Sequence, residues 1–161
     1  MRRLVIMRHA KSDWGNPSID DHDRPLNQRG RLAAGLMGAY LTDINFRPDH
    51  TIISSAARTQ ETFAHMRLGD MEHETTPYLY NATAAEVINT IKGAPNQAKT
   101  LLVIAHQPGV QQAANTLIDG WLIEKFPTGK LVILNCIADH WGDIGPYNCT
   151  LELQTAPKDL I

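Results

Sequence analysis

The chain has 161 residues, 43% of them hydrophobic, which suits one domain with a proper core and is too short for two ordinary ones. Its 15 Lys and Arg nearly balance 17 Asp and Glu, so no bulk field exists to recruit nucleic acid or an acidic membrane surface, and any anion site must be local. The 2 cysteines, Cys136 inside an apolar run and Cys149, make neither a disulfide framework nor a metal-ligand spacing, so buried reduced thiols are expected.

The first apolar run, Leu4 to Met7, follows Arg2 and Arg3 as in a secretory leader, but it is far too short for one. It predicts a strand, and with no long apolar segment elsewhere the expectation is a cytoplasmic protein without a membrane partner. The strand ends in Arg8-His9-Ala10. After a polar stretch, Leu32, Leu36, Met37, Tyr40 and Leu41 recur at helical spacing. Thr51 to Ile53 is the next strand candidate, followed by a serine-rich turn, Ser54-Ser55, that can cap a helix with Arg58 in its first turn. Thr83-Ala84-Ala85-Glu86 reads as a capping box before a helix carrying Val87, Ile88 and Ile91. Leu101 to Ala105 is a strand that runs into His106-Gln107-Pro108-Gly109, a tight turn before the helical pattern of Val110, Ala113, Ala114, Leu117 and Ile118. Leu131 to Ile137 is the last strong strand, and Cys149 to Leu153 alternates as an edge strand would. Short apolar runs alternating with helices predict a single-domain α/β fold over residues 1–161. Its expected form is a three-layer α/β/α sandwich with a mostly parallel sheet, helices on both faces and an antiparallel edge strand.

In such sheets ligands bind beyond the carboxyl ends of the strands, where Arg8, His9 and His106 are expected. A neutral imidazole can attack an electrophilic phosphorus, and a neighbouring guanidinium offers a planar fork that matches phosphoryl oxygens. A helix N-terminus bearing Arg58 is a further anion site. Each feature alone has a plain structural reading: a chain turning polar at a strand end, a solvated arginine, a hydrogen-bonded histidine. Two histidines and two arginines at predicted strand ends together point to a site.

Five segments in this order resemble the histidine phosphatase superfamily, and within it the small SixA-type phosphohistidine phosphatases. They are Arg8-His9-Ala10-Lys11-Ser12, Asp23-Arg24-Pro25-Leu26-Asn27-Gln28-Arg29-Gly30, Ser54-Ser55 with Arg58-Thr59-Gln60-Glu61-Thr62, Ala105-His106-Gln107-Pro108-Gly109 and Phe126-Pro127-Thr128-Gly129. The resemblance runs from about residue 4 to about residue 135. Ala10 stands where many members have glycine, as is usual in the small branch, and Ala57 where a residue such as proline is common nearby.

The resemblance implies that His9 forms a covalent phosphohistidine, that Arg8, Arg58 and His106 join it in catalysis, and that Arg24 binds substrate. It implies no metal and no cofactor. The expected substrate is a phosphohistidine-bearing protein, such as a phosphotransfer domain, with small phosphorylated molecules second and a non-catalytic phosphoprotein-binding domain as the remaining alternative. A monomer is the default. Glu86 is the one carboxylate in the region where relatives keep a general acid, but its capping box accounts for it, and Asp13, Asp20, Asp21 and Asp23 are expected to be mostly solvated. A missing acid fits a phosphoramidate, whose protonated imidazole leaves far more readily than an alkoxide. Rival chemistries fail on residues: neither cysteine is followed by an arginine with five residues between, Asp21-His22-Asp23 follows no apolar strand, no Walker or dinucleotide glycine pattern occurs, and the other histidines lack ligand spacing.

Overall fold

The computed structural model describes residues 1–161. Six strands form one sheet: β1 (Arg2–Arg8), β2 (His50–Ser54), β3 (Glu72–Thr76), β4 (Thr100–Ala105), β5 (Leu131–Cys136) and β6 (Cys149–Thr155), in the order β3-β2-β4-β1-β5-β6. The helices are α1 (Gln28–Asp43), α2 (Ala57–Met66), α3 (Ala84–Lys92) and α4 (Gly109–Leu117). No helix is long and apolar enough to cross a membrane.

The central strands are buried on both faces, which is why they are apolar without alternation. Successive residues of β1 serve opposite cores. Val5 and Met7 join Ile53, Leu102 and Ile104 beneath α1 and α2, meeting Met37, Leu41 and Met66. Leu4 and Ile6 join Ile52, Leu101 and Val103 beneath α3 and α4, meeting Val87, Ile91, Val110 and Leu117. The expected three-layer architecture follows directly.

Three details differ from the sequence reading. The edge strand β6 pairs antiparallel with its neighbour, as expected, but the strand reversed relative to β1 is β5, inside the sheet, so β6 itself runs in the direction of β1. Only the pattern of partners, which no single segment carries, distinguishes these cases. The opposite edge, β3, is unforeseen because Glu72-His73-Glu74-Thr75-Thr76 is wholly polar and largely exposed; charged side chains on an edge discourage pairing with other chains. Finally, α1 buries Gly30, Ala34, Met37, Gly38 and Leu41, whereas Leu32 is 69% exposed. Its contacts are made partly by bare backbone. A Cβ on Gly30 would lie 2.0 Å from the Lys11 carbonyl oxygen, and one on Gly38 would lie 1.9 Å from that of Met66. Glycine at a close approach is invisible to a hydrophobic pattern.

The reversal of β5 has a consequence for the site. Its first residues reach the sheet edge where β1, β2 and β4 end, so Thr128 to Lys130 lies beside Arg8 and His9. Gly129 N–H donates to the His9 carbonyl at 2.9 Å, and Arg8 N–H donates to the Lys130 carbonyl at 3.0 Å.

Candidate active site

Parallel pairing of β1 with β4 sets Arg8 opposite Ala105, so the residues that follow, His9 and His106, emerge side by side. Their ring centroids are 5.3 Å apart. His9 Nδ1 lies 2.7 Å from the Ala10 carbonyl oxygen. A carbonyl only accepts, so Nδ1 carries the proton and Nε2 presents its lone pair. Arg58 Nε donates to that Nε2 at 3.3 Å. Thr62 holds this arrangement from behind: its hydroxyl accepts the Ala10 N–H at 3.0 Å and donates to the Arg58 carbonyl at 2.7 Å, tying α2 to the end of β1.

Arg58 is the second residue of α2, as expected, but the cap is not serine. Ala56 holds the cap position without a side-chain bond. Ser54 serves the site instead, its hydroxyl lying 2.7 Å from His106 Nε2. Arg24 is brought in by the segment before α1, where its guanidinium bonds the Ser12 hydroxyl and lies 3.6 Å over the exposed Trp14 ring. Arg8 donates to the Phe126 carbonyl at 3.1 Å. All five anticipated residues therefore converge. They line one pocket of about 310 Å³ with Lys11, Ser12, Trp14, Asn81, Gln107 and Thr128.

Asp21 is the member that sequence reasoning missed. It accepts from Arg24 at 2.9 Å, from Arg58 at 3.1 Å and from the Tyr80 hydroxyl at 2.6 Å, and its backbone carbonyl takes a further Arg58 bond at 2.7 Å. The bonds from Tyr80 and Arg24, then the Arg58 charge, hold its carboxyl well below the usual carboxylate range. A row of aspartates in a polar stretch offers no signal for which one meets the arginines. Its spacing three residues before Arg24 is the only trace. Glu86 makes the anticipated capping box with Thr83 and does not line the pocket. No three His, Cys, Asp or Glu side chains converge as a metal site would require. His50 is buried and pairs with Glu74 at 2.8 Å.

Three buried polar atoms of pocket-lining residues have no partner in the protein: Arg8 Nε, Arg24 Nε and His106 Nδ1. Such atoms each cost about 1–3 kcal/mol when left unmet, so their grouping marks a place built for a polar ligand.

Burial lowers the His9 pKa to about 3, with His106, Arg58 and Arg8 adding repulsion against the Ala10 bond that opposes it. His106 is likewise lowered to about 3, by burial first and by Arg58 next. Burial thus outweighs the arginines in keeping both rings neutral. The unfolded chain protonates both near the ordinary 6.5. Their stabilising contribution is therefore complete above that pH and is lost as pH falls toward 3, at up to about 1.4 kcal/mol per pH unit for each histidine. Thermal melts at pH 7 and 5 should show a drop that shrinks in His106→Gln, and imidazole NMR should find both rings neutral at pH 5. Titration of either ring near pH 6.5 would contradict the assignment.

Known proteins share this fold. The family model for the histidine phosphatase superfamily (branch 1) matches residues 4–82. An uncharacterized protein of Mycobacterium tuberculosis is 37% identical over 149 residues, spanning 87% of this chain and 92% of that protein. An uncharacterized chloroplastic protein of Arabidopsis thaliana is 30% identical over 176 residues, spanning 99% of this chain and 80% of that protein. Among solved structures, a Nakamurella multipartitia protein assigned as the phosphohistidine phosphatase SixA superposes with a TM-score of 0.87 at 27% identity, covering 97% of this chain and 96% of that one. The protein histidine phosphatase SixA complexed with tungstate shares the fold, with a TM-score of 0.83 at 21% identity and 99% of each chain covered. With a pocket of two neutral histidines and three arginines on the matching fold, the chain belongs to the histidine phosphatase superfamily, in its small SixA-type form, and is a phosphatase.

Proposed function

We propose that this phosphatase hydrolyses protein-borne phosphohistidine through a covalent phosphoenzyme on His9, without a metal. The observation that carries the reading is that no aspartate or glutamate lines the pocket. Asp21, the carboxylate bonded to two of the pocket's arginines, is kept ionised by them and by Tyr80 and is a poor proton donor. An alkyl phosphate needs its departing alkoxide protonated, and a general acid contributes roughly 10²–10⁴-fold to such a step. A phosphoramidate carries its own remedy, because its imidazole leaves as a neutral ring once protonated.

In the first step the Nε2 lone pair of His9 forms a bond to phosphorus while the substrate's P–N bond breaks, its electron pair staying with the departing imidazole. The phosphoryl group passes from one imidazole to another, so the exchange is close to balanced in energy. In the second step water attacks phosphorus, the P–Nε2 bond breaks, His9 recovers its lone pair, and phosphate leaves with the water's oxygen. Arg8, Arg58 and Arg24 hold the equatorial oxygens, where charge is greatest, and His106 adds a donor through its unpartnered Nδ1. The Ala10 bond on Nδ1 fixes the attacking tautomer.

The expected result is a kcat/KM for a phosphohistidine peptide about 10²-fold or more above that for a sugar phosphate, the margin set by the missing acid. Excess EDTA should leave both rates unchanged. Faster turnover of the sugar phosphate would refute the substrate assignment, and EDTA inactivation reversed by magnesium or zinc would refute the mechanism.

A further inference from the structure

A second hollow, larger than the phosphate pocket at about 570 Å³, opens beside it. Lys11 and Thr128 line both, so the two are continuous. One wall is a face of α1 that the sheet does not use. Gly30, Ala34, Met37 and Leu41 point into the core, while Leu32, Ala33 and Leu36 form a separate apolar stripe toward the hollow. The opposite wall is Pro127 and Pro157, the latter on the short turn that follows β6. An apolar stripe at the rim of an active site is unusual for a surface that serves only solubility.

The charged side chains that line it are all basic. Lys11, Arg29 and Lys158 line the hollow, and none has a salt bridge or a side-chain hydrogen bond within the protein. The chain's Lys/Arg salt bridges, Arg3 with Glu152 and Arg24 and Arg58 with Asp21, all lie elsewhere. Three unpaired cations around an apolar floor, on a chain whose formal net charge is −2, complement an amphipathic segment with carboxylates beside its apolar side chains.

We propose that this groove docks the protein substrate, taking an acidic, amphipathic segment of the phosphohistidine-bearing protein next to its modified residue. The proposal rests on the phosphohistidine reading and extends it: the phosphate pocket supplies the chemistry, and the groove selects which protein enters. Continuity through Lys11 and Thr128 means that a chain seated in the groove delivers a neighbouring side chain to His9.

The test uses two synthetic peptides with the same central phosphohistidine, one flanked by leucines and glutamates at helical spacing, the other with lysines replacing the glutamates. Phosphoimidazole serves as a substrate too small to reach the groove. The acidic peptide should be hydrolysed at least tenfold more efficiently than the basic one, through KM. That preference should vanish in R29Q/K158Q and weaken in L32S, all exposed positions, while phosphoimidazole turnover stays unchanged. Equal handling of the two peptides by the wild-type enzyme would overturn the groove proposal and leave the phosphohistidine reading intact. Failure to hydrolyse phosphoimidazole or either peptide would overturn both.

Discussion

Replacing His9 by alanine should lower kcat by about 10⁴-fold or more and abolish the phosphoenzyme, because in the proposed mechanism it removes the atom that bonds to phosphorus. The surroundings leave no substitute. His106, the other imidazole of the pocket, has its Nε2 engaged with Ser54, and its ring is centred 5.3 Å from that of His9, displaced from the Arg58 fork. Rapid-quench labelling should trap an acid-labile, alkali-stable adduct on the wild type and none on His9→Ala, while His106→Ala slows its formation and still accumulates it. His9 is only 6% exposed and accepts an Arg58 bond, so a fold check is needed. Removing an imidazole that pays nothing to stay neutral at pH 7 should leave the thermal midpoint within a few degrees. Turnover that survives His9→Ala in a folded protein would refute the nucleophile assignment.

Where the sequence was informative, the cause was physical. Strands buried on both faces must be apolar throughout, so Leu4 to Met7, Thr51 to Ile53, Leu101 to Ala105 and Leu131 to Ile137 could be recognised without partners. The site residues at their ends were legible because strand termini in a layered sheet converge on one edge, which makes positions far apart in sequence into neighbours. The Thr83 to Glu86 capping box was legible because its bonds are local. What could not be read depends on partners. Strand direction for β5, the polar edge β3, the glycine contacts of α1 and the pairing of Asp21 with the arginines are each decided by what lies across the gap, not by the residues themselves. Ser54 illustrates the limit: its type suggested a helix cap, while tertiary structure spends its hydroxyl on His106.

Arg58→Ala should lower kcat/KM by about 10²–10³-fold, the usual cost of removing one charged donor from a developing transition state. Arg58→Lys should recover little of it. The guanidinium acts through three nitrogens at once: Nε on His9 Nε2 at 3.3 Å, one terminal nitrogen on the Asp21 carbonyl at 2.7 Å and the other on its carboxylate at 3.1 Å. An ammonium restores the charge but cannot span those acceptors. In the proposed mechanism the contact with His9 means that Arg58 gives up a bond when Nε2 attacks, which would free its Nε toward the phosphoryl oxygens as charge moves onto them. Asp21 bonds both Arg24 and Arg58, so in the same mechanism it would act as a positioning residue that fixes the plane of the Arg58 guanidinium. Asp21→Asn should cost about tenfold, since an amide keeps one acceptor and loses the charge that holds both arginines. A double-mutant cycle tells whether Asp21 works through Arg58: in the Arg58→Ala background the Asp21→Asn effect should nearly disappear, whereas fully additive losses would show that Asp21 serves the site by another route.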